Sequence, residues 1–211
     1  MNGSFAVLLV GLAGLVAVAG VVIAVIAVRN SKRQRPPAPT GPVDPFRQVE
    51  EDADALRGDP RKLAPGDIVE IRGVSYGVRG SLHFQEGDYR WAEHLLDDAA
   101  GTKRWISVEE DPDLELVLWT EVRGATVTPG APSIDFDGRR YASDESGSAR
   151  FTAVGTTGLN PSGTIRYHDY CAPDDARLSF ESYGGAGWEV GRGERLHRAE
   201  VQIYRQSRES S

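Results

Sequence analysis

The fold class is clearest in residues 69–78, which read VEIRGVSYGV. Val69 and Ile71 alternate with charged residues, and apolar residues return at every second position from Val74 to Val78. Successive side chains of a β-strand point to opposite faces, so a period of two is typical of half-buried strands. This stretch therefore predicts half-buried antiparallel strands.

The same alternation recurs in residues 114–118 and 199–203, and residues 63–205 contain no long helical pattern. Dipeptides that favour hairpin turns separate the strands. They are Gly87-Asp88, Asp137-Gly138 and Gly184-Gly185. We therefore predict an all-β soluble domain of about a dozen short antiparallel strands, with a barrel-like or a sandwich-like arrangement.

Three motifs occur twice in the same order, which suggests a duplicated β unit. The first is a Pro-Gly pair followed by Gly and Tyr, at residues 65–76 and 129–141. The second is RWAEH at 90–94, similar to RYHDY at 166–170, and the third is ISVE at 106–109, similar to LSFE at 178–181. The predicted copies span about 63–122 and 125–205. The competing interpretation is that hairpins resemble one another without common origin.

An uncharged apolar run, Phe5 to Val28, precedes this domain. As a helix it would be roughly 36 Å long, enough to cross a hydrocarbon core of about 30 Å. A cleaved signal peptide fits less well, because residues 1–4 lack the basic side chains of such peptides and the apolar run is longer than theirs. We predict one transmembrane helix at 5–28.

Basic residues follow the helix and none precedes it: Arg29, Lys32, Arg33 and Arg35. The positive-inside rule places residues 1–4 outside and the β-domain in the cytoplasm, on the inner face of the cell membrane. Small residues four apart, Ala13 with Ala17 and Gly20 with Ala24, would permit weak self-association of the helix.

Residues 29–62 combine the basic stop with a proline-rich spacer and a short helix. Asp44 would cap this helix, Pro45 suits its first turn and Gly58 would end it. One apolar face would pack against the domain. It consists of Phe46, Val49, Ala53 and Leu56. Residues 206–211 are predicted to form a disordered tail.

The formal net charge is −7, so the chain outside the four basic residues of the stop carries −11. An acidic domain repels phosphate backbones, which argues against nucleic-acid binding. A single cysteine, Cys171, excludes an internal disulfide and agrees with a reducing compartment.

The densest group of acid–base residues is Glu93, His94, Asp97 and Asp98. On a strand Glu93 and Asp97 share one face while His94 and Asp98 share the other. A metal site at His94 and Asp98 would need a distant third ligand, and a strand running into an acidic turn explains the same residues. We therefore assign no catalytic, cofactor-binding or metal-binding residue.

Aromatic residues could line a ligand groove, but on strands they are more often core anchors. The set comprises Trp91, Trp105, Trp119, Trp188, Tyr76, Tyr89, Tyr141 and Tyr167. Because alternation assigns most of them to a buried face, we favour the core interpretation.

Residues 63–67, 73–80, 89–96 and 103–109 resemble the bacterial family named domain of unknown function 4178. The most specific part is Trp-x-Glu-His-Leu-Leu from Trp91, followed by Trp-x-x-Val-Glu from Trp105. The second copy departs from it, with Tyr167 for the first tryptophan and Cys171-Ala172 for the two leucines. The resemblance implies a β-rich domain without established activity and an association with membrane or envelope stress.

These features favour a non-enzymatic binding or scaffold module that contacts a protein partner at the inner membrane face. The alternative is a metal-assisted hydrolase that uses the region of His94 and Asp98.

Overall fold

The computed structural model describes residues 54–98 and 103–206. Residues 1–4, the predicted transmembrane helix 5–28, most of the segment 29–62 and the tail from residue 207 onward lie outside the described residues. Within the two described ranges, no helix has the length and apolar character needed to cross a bilayer. The anchor and its orientation stay predictions of the sequence.

Eleven antiparallel strands dominate the described residues, which confirms the all-β prediction. They are β1 (Ile68–Ile71), β2 (Val74–Glu86), β3 (Tyr89–Asp97), β4 (Arg104–Glu110), β5 (Leu114–Glu121), β6 (Ser133–Phe136), β7 (Arg139–Gly155), β8 (Ser162–Cys171), β9 (Ala176–Tyr183), β10 (Glu189–Leu196) and β11 (Val201–Tyr204). Two single-turn 3₁₀ helices, Pro60–Lys62 and Arg198–Glu200, lie before β1 and before β11.

Eight of the described strands form a closed ring in the order β2-β3-β4-β5-β10-β9-β8-β7. A second pairing of β2, with β7, closes it over residues 80–85 and 150–155. Gly80 and Gly155 lie opposite each other at this seam, where a Cβ atom on Gly80 would come within 2.5 Å of the Thr156 carbonyl oxygen. Glycine therefore permits the two long strands to approach. The ring corresponds to the barrel-like alternative.

The two halves of the described domain have the same order of strands. In each half a four-residue strand pairs with the start of a long strand, and three further strands follow. The long strands β2 and β7 have 13 and 17 residues, because each pairs with a short strand at its start and with the ring beyond it. Duplication of one unit stays a prediction from the sequence.

All three predicted hairpin turns are present, at residues 87–88, 137–138 and 184–185. Asp137 and Gly138 have φ values of 51° and 72°, as a type I′ turn requires. Arg72 and Gly73 form the equivalent turn of the first half, with φ values of 51° and 79°. These turns match the right-handed twist of the strands that they join.

Both faces of the ring wall are buried over part of its length. One outer core joins β1, β11 and the start of β2 to β3–β5, and includes Val69, Ile71, Val78, Leu96, Ile106, Leu116 and Val201. A second outer core lies in the other half and includes Ile134, Tyr141, Tyr170, Leu178 and Phe180. A third core lies inside the ring and includes Leu82, Phe84, Phe151 and Ile165, with Trp91 and Trp105 packed against it.

The short helix before the domain presents a different face from the predicted one. Residues 54–57 are helical and Gly58 follows with φ +75°, so the predicted end is confirmed. Leu56, however, is 81% exposed, and the prediction that it packs on the domain is wrong. Asp54 faces the domain instead, where it accepts hydrogen bonds from Arg198 Nε at 2.9 Å and Arg61 Nη1 at 2.8 Å.

The physical reason is the environment of Arg198, whose side chain is only 15% exposed. A guanidinium removed from water needs an ionised partner, and the Asp54 carboxylate supplies it. Asp44, Pro45, Phe46, Val49 and Ala53 of the predicted helix lie outside the described residues.

Candidate functional site: an acidic, aromatic cavity inside the ring

A partly open cavity of about 100 Å³ lies inside the ring. Its lining comes from seven of the eight ring strands, at alternate positions, as expected for the inward face of a closed sheet. The aromatic lining consists of Tyr89, Trp91, Trp105, Trp119 and Tyr167. The acidic lining consists of Glu93, Glu109, Glu121, Glu145, Asp169, Glu181 and Glu189.

The repeated motifs of the sequence supply the cavity lining in equivalent pairs. The alignment of the two copies matches Trp91 with Tyr167, Glu93 with Asp169, Ser107 with Ser179, and Glu109 with Glu181, and all eight residues line the cavity. Each half of the ring therefore contributes an aromatic ring, a hydroxyl and two carboxyl groups.

Contacts on several sides fix the aromatic side chains. Trp91 stacks on Phe84 with 4.8 Å between ring centroids and meets the Tyr167 ring edge-on at 5.7 Å. Trp105 and Trp119 are direct cross-strand neighbours in the β4–β5 pair. Trp119 Nε1 also donates a hydrogen bond to Ser107 Oγ at 3.0 Å. The tryptophans are thus held in place without a ligand.

Five of the aromatic residues line the cavity, and of these Trp91 and Trp105 also pack against the third core and Tyr167 is buried, so the core interpretation is incomplete for them. It holds for Tyr76 and Tyr141, which are buried in the two outer cores, and Trp188 packs against the second of these cores. Alternation along a strand could not separate the cavity-lining residues from the core residues. It identifies which side chains share a face, but not whether that face packs against a core or lines a cavity.

The carboxyl groups of Glu93 and Glu181 form a hydrogen-bonded pair. Burial is the main cause that raises the pKa of each, well above the ordinary value for Glu93, and the negative charge of Glu181 raises the pKa of Glu93 further. Tyr183 Oη donates a hydrogen bond to Glu181 Oε2 at 2.9 Å. One proton shared between the two carboxyl groups satisfies this arrangement, since two adjacent carboxylates would repel each other.

Asp169 and Glu109 extend this protonated region. Burial raises the pKa of Asp169 to about 8, and the charges of Glu181, Glu145 and Glu109 add to the rise, while a hydrogen bond from Ser179 opposes it. Burial also raises the pKa of Glu109. Among the described lining residues Lys103 is the only cation, and its Nζ lies 3.7 Å from a Glu189 carboxylate oxygen. Burial therefore favours the protonated form of Glu93, Glu109, Asp169 and Glu181.

The acid–base group identified in the sequence is divided between different environments. Glu93 lines the cavity, but His94 points to the opposite face, where it is 1% exposed and its Nδ1 lies 2.7 Å from Ser81 Oγ. Burial lowers the pKa of His94 to about 3. Asp97 forms an ion pair with Arg79 at 2.8 Å, and Asp98 follows the end of β3.

Residues 54–98 and 103–206 contain no group of three or more His, Cys, Asp or Glu side chains placed to hold a metal ion. The metal-assisted hydrolase at His94 and Asp98 has no support there, because the two side chains have no third ligand and His94 is buried against Ser81. Sequence reasoning missed Glu109, Asp169 and Glu181 as site residues. The repeat was the signal that could have found them.

Glycine at position 193 makes room for the aromatic wall. It lies directly opposite Trp119 in the β5–β10 pair, and a Cβ atom there would come within 2.5 Å of the Trp119 ring and 2.8 Å of Arg177 Cβ. Trp119 belongs to the packed cavity lining and Arg177 is mostly buried in an ion pair with Glu115 at 3.2 Å, so neither can move freely.

We expect Gly193→Ala to reduce the free energy of unfolding by about 1–3 kcal/mol through overpacking against Trp119. Urea unfolding followed by tryptophan fluorescence measures this change. Gly77→Ala is the matched control, because Gly77 also lies in a strand and has open space around its Cβ position. Equal stability of the two variants would contradict the tight packing at Gly193.

The raised pKa of Asp169 predicts a pH-dependent stability. Between about pH 4 and pH 8 the folded state holds a proton on Asp169 that the unfolded chain releases, so the free energy of unfolding falls as the pH rises. We expect Asp169→Asn to weaken this pH dependence. The free energy of unfolding of the variant, relative to that of the parent chain, should therefore be higher at about pH 8 than at about pH 5.

Urea titrations across that pH range test the prediction. Asp135→Asn is the control, because Asp135 is exposed on β6 and should keep the parental pH dependence. A parental pH profile in Asp169→Asn would show that Asp169 is ionised throughout.

Comparison with known proteins gives a family but no activity. The family model described as Domain of unknown function (DUF4178) matches residues 64–198. Uncharacterised proteins of Mycobacterium bovis and Mycobacterium tuberculosis are 38% identical over 152 residues, an alignment that covers 69% of this chain and 73% of each relative. No solved structure matches the chain significantly. This chain, with the acidic and aromatic cavity inside its ring, belongs to the DUF4178 family.

Proposed function

We propose that the domain is a non-enzymatic binding module that holds a small cationic group in the interior cavity. The observation that carries the proposal is the combination of three tryptophans and seven carboxyl residues around one space that contains a single lysine. Aromatic faces attract ammonium and guanidinium groups, by about 0.5–2 kcal/mol per contact. Carboxylates provide the complementary charge.

The size of the cavity limits what can enter. About 100 Å³ has room for a few water molecules, at roughly 30 Å³ each, or for the head of an amine or guanidine. Because the cavity is partly open, the remainder of a larger ligand would lie outside it. The ligand class is therefore a cationic head group on a small molecule or on a side chain of a partner.

Protonation of the lining links this binding to pH. An entering cation favours the ionised carboxylates, so it lowers their pKa values and releases protons. Affinity should consequently rise with pH through the range in which Asp169, Glu93 and Glu181 lose their protons. Without a bound cation, protons on these carboxyl groups reduce the negative charge of the lining.

We expect ethylammonium to change the tryptophan fluorescence of the full chain, with affinity about tenfold or more higher at pH 8 than at pH 5. Propan-1-ol, a neutral molecule of similar size, should have no such effect. Glu181→Gln should weaken ethylammonium binding at pH 8 about tenfold, because it removes one of the carboxylates.

Glu70→Gln is the control variant, since Glu70 lies on β1 away from the cavity. An equal response to the alcohol and the amine, or equal affinity in Glu181→Gln and Glu70→Gln, would refute a cation site in the cavity.

The proposal includes the location of the module. The uncharged run 5–28, the basic residues that follow it and the proline-rich spacer support a single-pass anchor with the ring in the cytoplasm. A protein partner at the inner membrane face and weak self-association through the anchor belong to the same proposal.

We expect the full chain to stay in bacterial membranes after alkaline carbonate extraction, and a chain that lacks residues 1–35 to be released. A protease added to spheroplasts should leave the ring domain intact and digest it after lysis. Digestion before lysis would show that the orientation is opposite to the proposed one. Extraction of the full chain by carbonate would contradict the proposed membrane anchor.

A further inference from the structure

A second concave surface lies on the outer face of the wall that bounds the interior cavity. This arginine groove, of about 610 Å³, runs between the β1–β2 turn and the β6–β7 turn. Its basic lining consists of Arg72, Arg104, Arg139, Arg192, Arg195 and His197. We propose that the arginine groove is a binding site for a phosphoryl group, separate from the cation site inside the ring.

The strand register places three groups in a row across the floor of the arginine groove. Thr120 on β5 lies directly beside Arg104 on β4 and, on its other side, Arg192 on β10. Neighbouring strands are about 4.8 Å apart, so the two arginine Cα atoms are roughly 10 Å apart with a hydroxyl between them. Two long guanidinium side chains at this spacing can reach one anion from opposite sides.

Arg104 is the central observation, because its guanidinium forms no ion pair with a carboxylate of the described residues. Its Nη1 donates a hydrogen bond to Tyr76 Oη at 3.3 Å, and its guanidinium lies 5.9 Å from the Tyr76 ring centroid. Its Nε is buried and has no hydrogen-bond acceptor within the part of the chain that the structure describes. An anion in the groove would supply the charged partner that this guanidinium lacks.

The other arginines have partners that an anion can displace. Arg72 pairs with Glu194 at 2.6 Å, Arg139 with Asp174 at 2.7 Å and Arg192 with Asp137 at 3.1 Å, and these three carboxylates are more than half exposed. Exposed ion pairs are weak, so these three compete weakly with a multiply charged ligand. Arg72 also pairs with Glu200 at 2.7 Å and Arg195 with Glu115 at 3.5 Å, and these two carboxylates are less exposed.

Charge and size favour a phosphoryl group on a small molecule. Of the five arginines that line the groove, four pair with described carboxylates and Arg104 does not, so one guanidinium can bind an anion without displacing an ion pair. Guanidinium groups match the oxygens of phosphate in bidentate fashion. The volume is typical of a small-molecule site, whereas the net negative charge of the chain disfavours a nucleic acid.

Calorimetric titration of the full chain with inorganic pyrophosphate tests the arginine groove. We expect binding that weakens about tenfold or more in Arg104→Gln and in Arg192→Gln. Arg104→Lys should restore only part of the affinity, because lysine keeps the charge but lacks the fork of donors. Arg150→Gln is the control, since Arg150 is exposed on β7 outside the groove.

Parental affinity in both Arg104→Gln and Arg192→Gln, with the folded state verified by circular dichroism, would overturn the proposal. So would equal weakening in Arg150→Gln, which would indicate a diffuse charge effect. Two sources could supply the phosphoryl group. Competition by vesicles of phosphatidylcholine with phosphatidic acid, but not by phosphatidylcholine alone, would identify a lipid head group. No competition by either would identify a soluble phosphate ester.

Discussion

The pairing of β2 with β7 is the contact on which the rest of the domain depends. It joins residues 80–85 to residues 150–155, closes eight strands of the eleven-stranded sheet into a ring and pairs the segments of β2 and β7 that would otherwise be open edges. It also creates an interior. Each ring strand then directs alternate side chains into this interior. The interior contains both the third core, which is inside the ring, and the partly open cavity beside that core.

The chemistry of that interior is costly for a fold to maintain. A ring of this size is ordinarily filled by apolar side chains, yet here seven of the described lining residues are acidic. Burial of ionised carboxylates without partners is unfavourable, and it raises the pKa values of Glu93, Glu109, Asp169 and Glu181. Perturbed pKa values tend to occur where a protein binds or reacts, which supports the proposed binding site.

The sequence predicted the local features of the fold and left its closure undecided between a barrel-like and a sandwich-like arrangement. Three features depend only on neighbouring residues and could therefore be predicted from the sequence. They are the alternation in residues 69–78, the three hairpin turns and the end of the short helix at Gly58. Contact between residues 80–85 and 150–155 depends on chain segments 70 residues apart, for which a single sequence holds no signal. The predicted orientation of Leu56 failed because a buried arginine outweighed an apolar side chain.

The site was visible in part. The repeat contains lining positions of both halves but did not mark them as a site, and the partner of Glu93, Glu181, lies 88 positions further along the chain, across the ring. Local clustering drew attention to His94, which is buried on the opposite face of β3, and to Asp98, which follows the end of that strand. Proximity along a strand is a poor guide to a site, because consecutive residues face opposite sides.

Strand β5 shows what this alternation means for the way the protein can change. Trp119 and Glu121 face the cavity while Leu118 and Thr120 face the groove, and the same division continues into β4, where Trp105 lines the cavity and Arg104 the groove. Inserting or deleting one residue within β5 would exchange these faces, moving an acid outward and a threonine inward at a single step. Substitutions can adjust one surface at a time, whereas changes in length inside the wall alter both surfaces together. Length variation should therefore be confined to the connecting turns.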